Sequence, residues 1–194
     1  MSVLTKKPAG QQPIFNVPNQ LTAARLALAV VLFVLIACEY FLASTIVFIV
    51  AAGTDWLDGF WARRYGQVTN LGRILDPFVD KIIVCGTFIF LVAVPGSGVQ
   101  AWMAVVIVGR ELLVTALRSY VEGEGADFSA SMSGKLKMVV QCLAATISLY
   151  ALYHGSPRPD GLSWAVSISI WSAVALTIYS GGVYVHRAIG LLRR

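Results

Sequence analysis

The sequence predicts an all-α integral membrane protein, a six-transmembrane-helix bundle with a short N-terminal interfacial segment. Of 194 residues, 57% are hydrophobic and only 13% charged, with mean hydropathy +0.74. A soluble domain of this length needs far more polar surface. Six apolar stretches reach the roughly 20 residues a helix needs to cross a bilayer: 21–40, 41–62, 78–96, 99–121, 134–154 and 162–185. The cations are also one-sided. With six spans, Lys6, Lys7, Arg25, Arg63, Arg64, Arg73, Lys81, Arg110, Arg118, Lys135, Lys137, Arg187, Arg193 and Arg194 share one side, and Arg158 stands alone opposite. Lys and Arg mark the cytoplasmic face, so both termini and every charged cluster are expected there.

Residues 1–20 are polar and carry Pro8, Pro13 and Pro18; they read as the cytoplasmic interfacial segment, with 21–194 as one transmembrane domain. The first span ends at "CEY", 38–40. Its "LIAC" at 35–38 resembles a lipoprotein cleavage box. Cleavage there would discard Arg25 and leave an odd number of helices, so the span stays in the mature protein. The second span runs into "GTDWLDGFWARRYG", 53–66, and "NLGRILDPFVDK", 70–81, precedes the third. Pro77 suits a first turn and resists a helix interior, so the third helix is expected to start at about Asp76. The links "VPGSGVQ", 94–100, and "YHGSPRPDG", 153–161, are short. Consecutive helices should therefore be antiparallel neighbours. The sixth span, 162–185, has no charge. Cys38, Cys85 and Cys142 sit singly in apolar runs and read as small hydrophobes; His154 and His186 have no visible partner.

Four aspartates pose the functional question. If the second helix continues through residue 63, Asp55, Asp58, Gly59 and Ala62 share one face at about 100° per residue, while Trp56, Phe60 and Trp61 point elsewhere. Gly59 and Ala62 leave room for a close approach to the carboxylates. Gly72, Asp76 and Asp80 recur at four-residue spacing. Two helices joined by a short loop could aim four carboxylates at one point. Ionised together, they need cations, and oxygen donors favour hard ions such as Mg²⁺ or Mn²⁺. Two other readings stay open on spacing alone: interfacial ion pairs with Arg63, Arg64, Arg73 and Lys81, or an ion or proton pathway.

The pattern D55-x2-D58-G59-x2-A62-R63-x8-G72-x3-D76-x3-D80 resembles the full signature of the CDP-alcohol phosphotransferase family and departs from it nowhere. The resemblance implies a six-helix membrane enzyme, commonly a homodimer, that moves a substituted phosphoryl group from a CDP-linked donor to an alcohol and releases CMP. It implies two divalent cations, Mg²⁺ or Mn²⁺, held by Asp55, Asp58, Asp76 and Asp80, with Asp80 also the general base. Gly59, Ala62 and Gly72 would give the nucleotide close backbone access, and Arg63 would contact it.

Three further stretches resemble the bacterial phosphatidylglycerophosphate synthase branch of that family: "NVPNQLTAAR" at 16–25, "GRELLVTALRSY" at 109–120 and "SGKLKM" at 133–138. This implies CDP-diacylglycerol as donor, sn-glycerol 3-phosphate as acceptor, a bacterial inner-membrane location, membrane lipids as surroundings and no nucleic-acid partner. Asn19, Thr22 and Arg25 read as a possible cover over the donor site, or, for Arg25, as a topology anchor. Arg110, Arg118 and Lys135 read as the acceptor-phosphate clamp, because the arginine fork suits phosphate oxygens. Lys137, about 200° around the helix from Lys135, is not expected to face the same cavity. The plainer alternative is that these four cations only hold topology, with Arg110 paired to Glu111. Other acceptors within the family (inositol phosphate, serine, or phosphatidylglycerol as in a cardiolipin synthase) remain alternatives. Outside it, so does a cation or proton transporter.

Overall fold

The computed structural model describes residues 17–65, 70–123 and 132–192; within the helices, the side chains of 17–19, 21, 22, 55–65, 70–77, 80, 122, 133 and 192 lie outside the described residues. The chain runs α1 (Val17–Ala37), α2 (Phe41–Tyr65), α3 (Asn70–Ala93), α4 (Ala101–Gly123), α5 (Met132–Tyr153) and α6 (Asp160–Leu192). No strand occurs among the described residues. Gly134–Tyr153 and Asp160–Leu191 are long and apolar enough to cross a membrane, while Ala23–Ala37, Phe41–Thr54 and Lys81–Ala93 are shorter apolar helices.

Three helix boundaries differ from expectation. α1 begins at Val17, inside the stretch read as a separate interfacial segment. α3 begins at Asn70 rather than near Asp76, which puts Pro77 in its interior. Proline removes one backbone N–H from the ladder, but the helix carries on for two turns before it. Positions 72, 76 and 80 thus fall at four-residue intervals on one continuous helix. α6 runs to Leu192, past the expected end at 185. The charge at Arg187 ends the apolar run but not the helix, because Tyr184 and Ala188 pack against Val114 and Val121 of α4 in a small second core.

The main core joins all six helices through Leu32 and Ile36, Phe48, Phe88 and Leu91, Met103 and Ile107, Leu149 and Ile170. α3 packs against α1, α2, α4 and α5, and α6 packs against α4 and α5. One expected neighbour pair is missing. The backbones of α4 and α5, consecutive in the chain, nowhere approach within 8 Å among the described residues. Only side chains bridge that gap, and they are long ones.

Polar groups lie inside and apolar ones outside. Ser44, Thr87, Gln141, Ser148, Thr177 and Ser180 are buried, whereas Val105, Leu112, Trp164 and Ile168 are exposed by more than 60%. Water-soluble monomers do not display apolar surface on this scale. The buried hydroxyls mostly return to their own helix: Ser44 Oγ donates to Tyr40 O (2.9 Å), Thr87 Oγ1 to Ile83 O (2.7 Å) and Thr177 Oγ1 to Ala173 O (2.6 Å).

The turns on one side are tied by backbone geometry. Between α1 and α2, Tyr40 N–H donates to Leu35 O (2.9 Å), and Glu39 occupies the left-handed region at φ 61°. This is the helix-ending motif that usually takes glycine. Between α3 and α4, Gly96 and Gly98 adopt φ 83° and 80°. A Cβ on Gly98 would come within 2.7 Å of Val166 Cγ1. Ser97 sits between them: its hydroxyl donates to Leu91 O (2.6 Å) and its carbonyl accepts from Ser148 Oγ (2.5 Å).

Candidate active site

The four aspartate positions lie on two helices. Positions 55 and 58 lie in the last turns of α2, positions 76 and 80 lie in the first half of α3, and the two helices pack against each other. The side chains of Asp55, Asp58, Asp76 and Asp80, with Gly59, Ala62, Arg63 and Gly72, lie outside the described residues. So do those of Asn19 and Thr22, while Arg25 is buried at 3% exposure.

The described polar cluster lies in the gap between α4 and α5. Glu111 is the one acid in the apolar stretch 99–121, and it is buried. An isolated carboxylate there would be very costly, and its Oε1 accepts from two cations. Arg110 Nη1 donates to it at 3.1 Å, and Lys137 Nζ forms a short ion pair with the same oxygen. Adjacent residues on a helix do not ordinarily face each other, so Arg110 reaches round to its neighbour. Its other arm donates from Nη2 to Ser180 Oγ of α6 (2.5 Å). The guanidinium also lies 5.3 Å from the Tyr184 ring centroid, within cation–π range. α6 comes close here because position 181 is glycine: a Cβ would meet Arg110 Cγ at 3.2 Å.

A second thread ties in α3. Lys81 Nζ donates to Thr115 Oγ1, which itself donates to Glu111 O (2.7 Å). One turn beyond Lys137 on α5, Gln141 Nε2 donates to Thr177 Oγ1 of α6 (2.8 Å). Lys81, Val84, Cys85, Glu111, Lys137, Met138 and Gln141 line a pocket among α3, α4 and α5. Of the two lysines on it, Lys137 is buried and Lys81 half-buried.

The three residues expected to clamp phosphate are therefore not brought together by any described contact. Arg110 is at the cluster, paired to Glu111 as the plainer alternative held. Arg118 is half-buried, and Lys135 is exposed on another side of α5 from buried Lys137. The Nε atoms of Arg110 and Arg118 are buried and make no hydrogen bond among the described residues.

Comparison with known proteins then decides the family. A family model described as CDP-alcohol phosphatidyltransferase matches residues 15–179. The chain belongs to this family. Among its relatives is the CDP-diacylglycerol–glycerol-3-phosphate 3-phosphatidyltransferase of Bacillus subtilis, 35% identical over 186 residues, covering 88% of this chain and 94% of the relative. Proteins of the same name from Pectobacterium atrosepticum (33% identical over 181 residues; 90% and 95% covered) and Haemophilus influenzae (32% over 184; 92% and 96%) are also similar to it.

Of the residues in this cluster, the sequence reading names Lys81 and Glu111 only as ion-pair partners, sets Lys137 aside and passes over Gln141. A signal was there. Glu111 is a lone acid in an apolar run, and such a residue needs a cationic partner. Lys137 and Gln141 are four residues apart on one helical face, in an otherwise apolar stretch.

Proposed function

We propose that the chain transfers the phosphatidyl group of CDP-diacylglycerol to sn-glycerol 3-phosphate, giving phosphatidylglycerophosphate and CMP. The observation that carries this is near-full-length similarity to relatives named for that reaction. The acceptor hydroxyl attacks the phosphorus that bears diacylglycerol, and the bond to the CMP oxygen breaks. Asp80 takes the hydroxyl proton. Asp55, Asp58, Asp76 and Asp80 would hold two divalent cations, Mg²⁺ or Mn²⁺. An all-carboxylate donor set on two packed helices fits hard ions, with α2 and α3 in direct contact. When bound, such ions neutralise the pyrophosphate and stabilise charge on attacking and leaving oxygens.

In the same proposal Gly59, Ala62, Arg63 and Gly72 receive the nucleotide, and Asn19, Thr22 and Arg25 cover it. Arg110, Arg118 and Lys135 bind the acceptor phosphate. The buried, unbonded Nε atoms of Arg110 and Arg118 support this, since each is a donor that a phosphate oxygen can take. Lys135 lies exposed at the start of α5, where an entering anion meets it first.

The protein is a multi-pass membrane protein of the bacterial inner membrane, with six spans and cytoplasmic termini. Exposed apolar and buried polar side chains support the membrane setting, and the one-sided cations support the orientation. A homodimer belongs to the proposal on the family resemblance alone. The test is CMP release from purified protein in micelles with CDP-diacylglycerol. Release should need both glycerol 3-phosphate and a divalent cation, and excess EDTA should stop it reversibly. Full activity in EDTA, or equal release with inositol phosphate or serine, would refute the metal or the acceptor respectively.

A further inference from the structure

We infer that Ser180 and Gly181 of α6 are positioning residues for the acceptor phosphate, acting through Arg110 rather than by touching substrate. The inference rests on the acceptor reading of Arg110 above. Ser180 differs from the buried hydroxyls of Ser44, Thr87 and Thr177, which donate to their own helix backbone. Its Oγ instead accepts from Arg110 Nη2 of α4 at 2.5 Å. One turn on, along the same face, the Tyr184 ring centroid lies 5.3 Å from the guanidinium. Between the two, position 181 is glycine, and the Arg110 stem passes over it. A Cβ there would stand 3.2 Å from Arg110 Cγ, with no other atom outside α6 within 4 Å among the described residues.

These contacts leave Nε as the one guanidinium nitrogen without a partner. Glu111 Oε1 takes Nη1 at 3.1 Å, Ser180 takes Nη2, and the Tyr184 ring backs the plane. Nε is buried and makes no hydrogen bond among the described residues, on a side chain only 9% exposed. An arginine that only tied α4 to α6 would gain nothing from a dry, unbonded N–H, which is costly. The arrangement suits a guanidinium held ready for an anion. A phosphate oxygen is well matched to such an edge, and the planar fork fixes its direction. Holding the fork beforehand spares the cost of ordering a long side chain on binding.

The experiment compares wild type with Ser180→Ala, Gly181→Ala, Gly182→Ala and Arg110→Met, in micelles with Mg²⁺. The first two are also made in the Arg110→Met background, and CMP release is measured against each substrate in turn. Arg110→Met strands no charge, because Lys137 still answers Glu111; it should raise the apparent KM for glycerol 3-phosphate at least about tenfold. Ser180→Ala removes a hydrogen bond, and Gly181→Ala displaces the stem. Each should raise that KM about fivefold and leave KM for CDP-diacylglycerol within about twofold. Alanine is the better helix former, so a loss at 181 is not a lost helix. Gly182→Ala, exposed and with nothing within 4 Å, should change neither KM. In the Arg110→Met background, Ser180→Ala and Gly181→Ala should add nothing. Should Arg110→Met fail to fold, the difference between Gly181→Ala and Gly182→Ala still decides. A wild-type KM for glycerol 3-phosphate in either Ser180→Ala or Gly181→Ala would overturn the inference. So would equal rises for both substrates, further losses in the Arg110→Met background, or a rise in Gly182→Ala that matches Gly181→Ala. Arg110→Met with an unchanged KM for glycerol 3-phosphate would instead overturn the acceptor reading of Arg110, and this inference with it.

Discussion

At the α3–α4 turn, Ser97 joins two helices and a loop through neutral hydrogen bonds, and Arg158 Nη2 reaches across to Gly96 O at 2.5 Å. At the other end of the same helices, Arg110, Glu111 and Lys137 join three helices through full charges. The first arrangement is built on glycine conformations, backbone acceptors and small hydroxyls, with Arg158 the one cation that reaches it among the described residues. In the second, among the described residues, two cations share one acid. A fold that needed only stability could have used neutral joints at both ends. The contrast directs tests of function to the charged end and tests of stability to the other.

Three substitutions can break or sharpen that contrast. The largest effect is expected from Asp80→Asn, near the charged end. A positioned carboxylate base contributes about 10²–10⁴-fold, or about 3–5 kcal/mol of barrier. Turnover should fall that far, with thermal inactivation in micelles unchanged. Retention of more than half the wild-type rate would remove Asp80 from the proposed chemistry. Gly98→Val, at the neutral end, should do the reverse. Its φ of 80° is hostile to a β-branched residue, and the new Cβ would press on Val166 and Ile170. Strain and overpacking together should cost about 2–4 kcal/mol. The inactivation temperature should drop sharply while both KM values hold; a selective rise in KM for glycerol 3-phosphate would blur the division of labour. The smallest effect should come from Arg158→Ala. One solvent-facing hydrogen bond to Gly96 O is worth below about 1 kcal/mol. A larger loss in a thermal scan would mean that this loop contact carries more of the fold than its geometry implies.

The six helices were legible in the sequence because apolar length and charge placement speak directly to helices of this kind. Their ends were less so. Pro77 suggested a helix start, yet α3 begins at Asn70, since one missing N–H does not stop a helix already running. Arg187 suggested an end for α6, yet packing on α4 carries the helix onward. Rotation was hardest to read. When the outside is as apolar as the core, hydrophobic pattern does not say which face of α5 turns inward. The sequence separated Lys135 from Lys137 around that helix. Only the fold shows Lys137 buried against Glu111 and Lys135 exposed. The family was legible from Asp55, Asp58, Asp76 and Asp80 because the pattern is long and fixed. The pocket was not, because α4 and α5 had been expected to touch.

Most helical hydroxyls bond backward to their own backbone, as with Ser44, Thr45, Thr87, Thr146 and Thr177. Those hydroxyls are satisfied without a neighbouring helix, as a medium free of water would require. α5 is different. Lys137 waits for Glu111 of α4, Ser148 for the Ser97 carbonyl, and Gln141 for Thr177 of α6. Two of those partners are made before α5 leaves the ribosome, and the third only afterwards. A nascent chain that stopped short of α6 would hold an unanswered amide in its interior. The sixth helix thus supplies the partner that the buried amide of the fifth needs, and that joint can form only once α6 has been synthesised.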